Sequence, residues 1–288
     1  MRFYSGLSAL DDVVSGCGFC PGILEVFGGA ASGKTSLTLS FMQDADQAGI
    51  PTLYVPTDET ISPKFLQSWV PGCSFAKTLG DESAVEIALR FVRHGKCLVV
   101  IDSIHGLQPL AHNHSSLSYQ DYSGRNRLLH YFLSSAWPLV QRTKSLLLVT
   151  SQIRDNIFEQ GLRPKTVSSL TPNLRGLVDY SIRLTRKSNR AEYGRNAQSK
   201  VEARVVLDRF HHSGNRPSYI HMWHTHGFWT AFNLLTHMVH RGLIERHGAY
   251  FRDSGGVTLG PGWYKAAEAI ERRLDFYKAY YRKSLDFS

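Results

Sequence analysis

The chain has 288 residues, 42% of them hydrophobic, enough for a main domain with a full core and a small appendage. No apolar run approaches the roughly 18 residues of a membrane span, and the opening MRFYSGLSALDD lacks the apolar stretch of a secretory signal, so the expected location is cytoplasmic. The formal charge of +9 points to an anionic partner, nucleic acid before membrane, with a basic enzyme that binds no polyanion as the alternative.

The first expected strand is ILEVF, residues 23–27, followed by a helix over 36–48 that stops at Gly49. TLYV at 52–55 is the next strand. A helix then runs from Asp81, a fitting N-cap, to Gly95, which suits the position after a helix end. CLVVI at 97–101, a helix over about 124–143 and SLLLVT at 145–150 complete the alternation. Strands and helices alternating at this length build βαβ units and a parallel sheet. From about residue 201 the texture changes: EARVVLDRF and SYIHMWH look like two strands around the turn HHSGNRP. Beyond Gly227 comes a helix–turn–hairpin–helix stretch. The expected division is therefore a core over 1–226 and a small C-terminal domain over 227–288.

Four cysteines make no disulfide framework in a chain of this size. The pair Cys17 and Cys20 has no matching second pair for zinc, so reduced, incidental thiols are expected. His221, His224 and His226 alternate along a strand, and a strand surface explains them more simply than a metal does.

GGAASGKT, residues 28–35, fits G-x-x-x-x-G-K-[ST] and lies between a predicted strand and a predicted helix. Gly28 and Gly33 let backbone N–H groups curl around phosphates, with Ser32 and Ser36 in the same turn, and the helix N-terminus adds partial positive charge. Lys34 is placed to reach the β- and γ-phosphates of ATP, and the Thr35 hydroxyl to ligate Mg²⁺. Asp102 closes the strand CLVVID and is the candidate second metal carboxylate, because ligands of open α/β sheets sit at strand C-termini. Asp58 and Glu59, after TLYVPT, are candidates to orient the attacking water, or caps of the following loop.

These motifs extend into a family pattern. SGLSALDDVVSGCGFCPGILEVFGGAASGKTSLTL, LVVIDSIHGL, LLLVTSQIR and GLIERHGAYFRDSGGVTLGPG stand in the order and spacing of the bacterial RecA family of homologous-recombination ATPases, which the chain resembles from about Ser5 to about Arg273. The resemblance implies a RecA-like α/β P-loop core with a mainly parallel sheet and a small C-terminal α/β domain. It also implies a DNA-dependent ATPase that uses ATP and Mg²⁺, forms homo-oligomeric filaments on single-stranded DNA and pairs it with double-stranded DNA. By position, Phe65 falls where the family sets an aromatic ring against adenine, and Gln152 where a glutamine senses the γ-phosphate. One DNA-binding loop would span about 109–122, with Arg125 and Arg127 just beyond it. The other would span 155 to about 172, containing Phe158, Arg163 and Lys165 and flanked by Arg154 and Arg175. Arg186, Lys187 and Arg204, in a basic stretch over 183–204, are candidates for a second duplex site, or for a solvated hairpin.

The pattern also breaks. Asp58 stands where the family has its catalytic glutamate, one methylene shorter, with Glu59 beside it. Of two lysines that reach a neighbour's ATP, the matching positions carry Leu207 and Arg209, so Arg209 is the remaining candidate finger. The N-terminal helix and strand that join protomers are expected to be missing. Phe276 and Ala279 form an F-x-x-A pattern that could replace them, or belong to a helix packed on its own domain. Lys278, Arg282 and Lys283 make a basic tail where the family often has an acidic one, which implies affinity for duplex DNA. The alternative function is an accessory paralogue, or a DNA-coating protein that binds ATP and DNA without strand exchange.

Overall fold

The computed structural model describes residues 2–14, 18–57, 61–78, 82–109, 122–155, 166–187, 198–210, 216–223 and 227–285. Parallel strands need long crossovers, and the helices supply them. Strand β1 (Gly22–Gly28) leads through α2 (Lys34–Gln47) to β2 (Thr52–Pro56); α1 (Ser8–Val13) precedes them. Next come α3 (Pro63–Trp69), the short β3 (Ser74–Phe75), α4 (Glu82–Arg93) and β4 (Leu98–Asp102). Helix α5 (Tyr122–Thr143) leads to β5 (Leu146–Asp155), which pairs with β6 (Thr166–Ser168). After α6 (Pro172–Arg175) the chain forms β7 (Tyr180–Arg186), β8 (Gln198–Asp208), β9 (Pro217–Trp223) and β10 (Gly227–Phe228). The strand order is β10-β9-β8-β7-β1-β5-β4-β2-β3, parallel from β7 to β3 and antiparallel from β7 outward to β10.

All seven residues of β1 are buried, because apolar layers cover both faces of the sheet. One layer includes Leu37, Phe41, Met42 and Tyr180; the other includes Val85, Leu89, Leu129, Phe132 and Leu133. The expected strands and helices of the core are present, and short elements such as α1, α3, α6, β3, β6 and β10 add to them. The expected C-terminal hairpin is a three-stranded sheet followed by two helices. Strand β5 runs on to Asp155, beyond the apolar run, because its polar end pairs with β6 (Ile153 opposite Ser168, Asp155 opposite Thr166). Strand β7 was not foreseen: its sequence YSIRLTR mixes polar and apolar residues, and pairing with β1 and β8 makes it a strand.

The C-terminal body contains α7 (Thr230–His240), a three-stranded antiparallel sheet of β11 (Ile244–His247), β12 (Tyr250–Asp253) and β13 (Thr258–Pro261), then α8 (Gly262–Glu271) and α9 (Leu274–Leu285). Phe232, Leu235, Phe251, Ile270 and Tyr277 form its core together with Trp223 of β9. Helix α9 also ties the body to α2. Lys278 and Arg282 each approach Asp44 at 3.3 Å, so two of the three basic tail residues already face a carboxylate. Tyr277 is fully buried and donates to Asp253 at 3.0 Å, whereas Phe276 is half exposed and Ala279 is exposed.

His221 corrects the surface expectation: the ring is buried against Phe232, with centroids 5.4 Å apart. Its main chain exchanges bonds with the Asn233 amide at 2.7 and 3.0 Å. His224, His226 and Cys17 lie outside the described residues. Cys20, Cys73 and Cys97 are free thiols, and no metal-ligating cluster occurs among the described residues. Nor is any described helix long and apolar enough to cross a membrane.

Burial, aided by the charge of Lys200, pulls the His221 pKa down to about 4. Below its ordinary value of 6.5 the unfolded ring takes a proton that the folded ring refuses. This contribution to stability is therefore present above pH 6.5 and lost as pH falls toward 4. Denaturant unfolding should show wild type losing about 3 kcal/mol more than His221→Leu between pH 7 and pH 4. Equal losses in the two proteins would remove His221 as the cause.

Candidate nucleotide-binding site

Strand β1 delivers the chain to the upper rim of the sheet, and the turn of 28–33 feeds directly into α2. Glycine is needed here for two separate reasons. A Cβ on Gly28 would come within 2.5 Å of Ser32 Oγ and 2.6 Å of the Leu184 carbonyl. Gly33, the N-cap of α2, has φ +94°, and a Cβ there would lie 2.9 Å from Met222 Sδ and 3.0 Å from the Phe228 ring.

Lys34 is the first residue of α2, and its ammonium donates to the carbonyls of Gly28 at 3.1 Å and Gly29 at 2.8 Å. Burial draws this ammonium below the usual lysine range, and the nearby Asp102 carboxylate opposes that shift. The Thr35 hydroxyl donates to Asp102 Oδ2 at 2.7 Å, as does Tyr54 at 2.9 Å, while Thr150 donates to Oδ1. Hydroxyls from α2, β2 and β5 thus aim one buried carboxylate, and the Asp102–Ser103 peptide after it is cis. Tyr54 and Thr150 were missed in the sequence, where they look like ordinary β-formers.

Phe65 sits in the first turn of α3, which Ser62 caps by accepting the Phe65 N–H at 3.3 Å. Its half-exposed ring lies 5.8 Å from that of Trp69. Both rings line a cleft of about 460 Å³ with Ser32, Gly33, Lys34, Thr35, Ser36, Met222 and Trp223. Arg186 completes this wall. It therefore stands apart from Lys187 and Arg204, which lie on the opposite face of the outer strands.

The site fits a nucleoside triphosphate with a divalent cation. Ser32 Oγ is buried without a partner among the described residues and is available to a phosphate oxygen. Thr35 and Asp102 form the oxygen donor set that Mg²⁺ prefers, while Phe65 and Trp69 offer faces to a base.

Asp58 and Glu59 lie outside the described residues. Thr57, just before them, is pinned at Asp102: its N–H donates to the Asp102 carbonyl at 3.0 Å, and its hydroxyl takes the Ser103 N–H at 3.0 Å. Gln152 is exposed on β5, in register beside Gly28. Arg209 is exposed at the far end of β8, donating to the Gly176 carbonyl, with its N–H on Asp179 at 3.0 Å. From Leu24 to Gly28 and beyond, the length of β1 separates it by roughly 20 Å from the turn of 28–33 of its own chain.

Of the remaining candidates, Arg125 lies in the first turn of α5 with Nη2 2.8 Å from His105 Nδ1, and Arg127 is exposed on the same helix. Arg154 belongs to β5, and Arg175 is half-buried on α6. Phe158, Arg163 and Lys165 lie outside the described residues. Lys187 and Arg204 both approach Glu202, at 2.8 and 3.4 Å. These contacts, the Lys187 bond first, hold the Glu202 carboxyl below the usual range.

Residues 2–216 match the family model described as the RecA N-terminal domain. The RecA protein of Thermus thermophilus is 27% identical over 287 residues, covering 96% of this chain and 83% of the relative. RecA of Clostridium acetobutylicum is 23% identical over 277 residues, covering 92% and 76%. Among solved structures, the crystal structure of the RadB recombinase is similar in fold, with a TM-score of 0.59 at 20% identity over 78% of this chain and 98% of that one. A family model spanning most of the length, on a sheet whose rim carries the turn of 28–33 beside Asp102, settles the kinship: this chain belongs to the RecA family of recombination ATPases.

Proposed function

We propose that the chain is an ATP-driven recombinase that assembles on single-stranded DNA as a filament, pairs that strand with homologous duplex, and turns over ATP in response to DNA. The observation that carries this reading is the register of Gln152 beside Gly28. A side chain at that point can bond a terminal phosphate and lose the bond after hydrolysis, and the same strand leads directly into residues 156–165. Lys34 and the N–H groups of the turn bind the phosphates, Phe65 stacks on the base, and Thr35 and Asp102 hold Mg²⁺, which neutralises phosphate charge. Asp58 or Glu59 orients water.

The face shared by β7 and β8 supports an anionic partner. Arg183 stands directly opposite Arg204, and the Nε of each is buried without a partner among the described residues. Like charges opposed across strands are destabilising unless an anion lies between or over them, and the one carboxylate of Glu202 is already shared by Lys187 and Arg204. Lys187, Lys200 and the exposed Tyr219 extend the same face, with Lys200 4.7 Å over the Tyr219 ring. The distance of Arg209 from its own phosphate turn suits a role across a protomer boundary.

One observation favours the accessory-paralogue reading. Leu207, where the family has a second interface lysine, packs against the apolar layer beneath α4 and α5 and supplies no cation. Phosphate release measured with and without single-stranded DNA, beside electron microscopy with a non-hydrolysable ATP analogue, separates the two. A recombinase gives DNA-stimulated turnover and filaments, and D-loop formation follows. Filaments without D-loops would leave the accessory role, and neither turnover nor DNA binding would remove both.

Arg186 gives a sharper test of the site. Its place in the cleft predicts that Arg186→Ala raises the Kd for ATP about tenfold, the loss of one charge-assisted contact. Lys187→Ala, on the other face, should leave ATP affinity unchanged and weaken duplex binding. Titration with a fluorescent ATP analogue and a labelled duplex distinguishes these outcomes, and equal effects of the two substitutions on ATP would refute the division of faces.

A further inference from the structure

His105 follows Asp102 in the turn after β4, and its ring draws together three parts of the chain. The backbone N–H of Gln152 donates to Nε2 at 2.9 Å, and Ser169 Oγ lies 2.8 Å from the same atom. On the other side, Arg125 Nη2 approaches Nδ1 at 2.8 Å. Ser169 is itself joined to Gln152, its N–H donating to the Gln152 carbonyl at 3.0 Å.

This geometry sets a conflict that the ring cannot resolve in a single state. A neutral imidazole has one lone-pair nitrogen and one N–H. A backbone N–H and a guanidinium can only donate, and here one faces each nitrogen. If Nε2 carries the lone pair, the Gln152 N–H is satisfied and Nδ1–H turns toward a group that can only donate, so Arg125 is displaced. If Nδ1 carries the lone pair, Arg125 is held, Nε2–H donates to Ser169 Oγ, and the Gln152 N–H is released. The serine hydroxyl serves both states, because it can donate or accept.

We propose that His105 is a positioning residue that exchanges its proton between ring nitrogens, so that it holds either the Gln152 main chain or the Arg125 guanidinium. The consequence rests on the function proposed above, in which Gln152 meets the terminal phosphate and Arg125 meets DNA. When nucleotide fixes Gln152 against Nε2, Arg125 is released from the ring and can turn to a phosphate of the DNA backbone. When Gln152 relaxes, Nδ1 withdraws Arg125 and the grip on DNA weakens. The ring thereby gives the phosphate site a second route to DNA, through α5 rather than through β5.

Two substitutions freeze opposite states. In His105→Gln the amide oxygen replaces Nε2 as acceptor for Gln152, and in His105→Asn it replaces Nδ1 as acceptor for Arg125. The affinity of a fluorescent single-stranded oligonucleotide is measured with and without a non-hydrolysable ATP analogue. Wild type should gain about tenfold or more from the analogue, within the usual range of such coupling. Both variants should respond less than about twofold, His105→Gln staying at the tight level and His105→Asn at the weak one, and by linkage His105→Gln should bind the analogue more tightly than His105→Asn does. Variants that keep the wild-type gain would overturn the relay. The ¹⁵N shifts of the His105 ring in wild type give an independent readout, even if a variant fails to fold. The analogue should move the lone pair from Nδ1 to Nε2, and a tautomer indifferent to nucleotide would also overturn the relay. A tautomer that moves while DNA affinity does not would keep the relay and remove the DNA reading of Arg125 instead.

Discussion

Lys34→Ala is expected to lower ATP turnover at least about 100-fold without unfolding the protein, the scale seen when one charged donor is taken from a transition state. The ammonium lies at the start of α2, partly buried, with its bonds made to the carbonyls of Gly28 and Gly29. It packs no apolar layer, so its removal should disturb little beyond the turn. What is lost is positive charge in a place that water screens poorly, where the downward pull on its pKa registers the burial and Asp102 the local field. Lys34→Arg should recover little, because Gly33 is already hemmed in by Met222 and Phe228 and a planar guanidinium is wider than an ammonium. Steady-state phosphate release, with circular dichroism as the control for folding, checks this. A loss below tenfold would mean that the N–H groups of the turn and the metal site carry the charge stabilisation without Lys34.

Glu25→Ala carries the largest expected effect on stability, a loss of about 4 kcal/mol. Glu25 is fully buried in the middle of β1, between apolar layers, where a carboxylate is costly unless well bonded. Three hydroxyls bond it. Ser151 of β5 donates to Oε1 at 2.6 Å, Ser168 of β6 donates to the same oxygen, and Ser181 of β7 donates to Oε2 at 2.6 Å. Alanine would leave three buried hydroxyls without their acceptor, and a void beside them. Glu25→Gln should cost far less, about 1 kcal/mol, because Oε1 still accepts and the serine of β7 can turn to accept from the amide. Thermal unfolding should show Glu25→Ala about 8 °C below wild type, with Glu25→Gln close to it. A drop of only a degree or two in the alanine variant would show that the cluster is not a structural tie. Ser168 also takes the Leu170 N–H at 3.0 Å, so the same bonds fix the exit of β6 toward Ser169 and His105.

The strand–turn–helix at 22–47 was legible because everything that defines it lies close along the chain: a buried strand, glycines where side chains would clash, and a helix that begins at Lys34. The place of Asp102 beside that turn was legible for a related reason, since the C-terminal ends of neighbouring parallel strands share one rim. The alternation of strands and helices likewise gave the parallel half of the sheet, and the order of motifs gave the family.

Contacts between distant segments depended on strand order, which local pattern does not encode. Strand β7 lies beside β1 although more than 150 residues separate them, and only that neighbourhood puts Arg186 in the cleft with Lys34 and Phe65, and Ser181 under Glu25. His221 looked like a surface residue because strand alternation predicts two faces; α7 packs over His221 itself, whereas Tyr219 on the same face of β9 stays exposed. The basic tail looked unrestrained until α9 brought Lys278 and Arg282 to Asp44 on α2. His105 carried no signal at all, since a single histidine after a strand has no meaning until Arg125, Gln152 and Ser169 converge on its two nitrogens. Sequence thus determined the chemistry that needs only neighbours along the chain, and the tertiary structure decided which distant donors and acceptors must share a partner, because buried polar groups are satisfied in three dimensions.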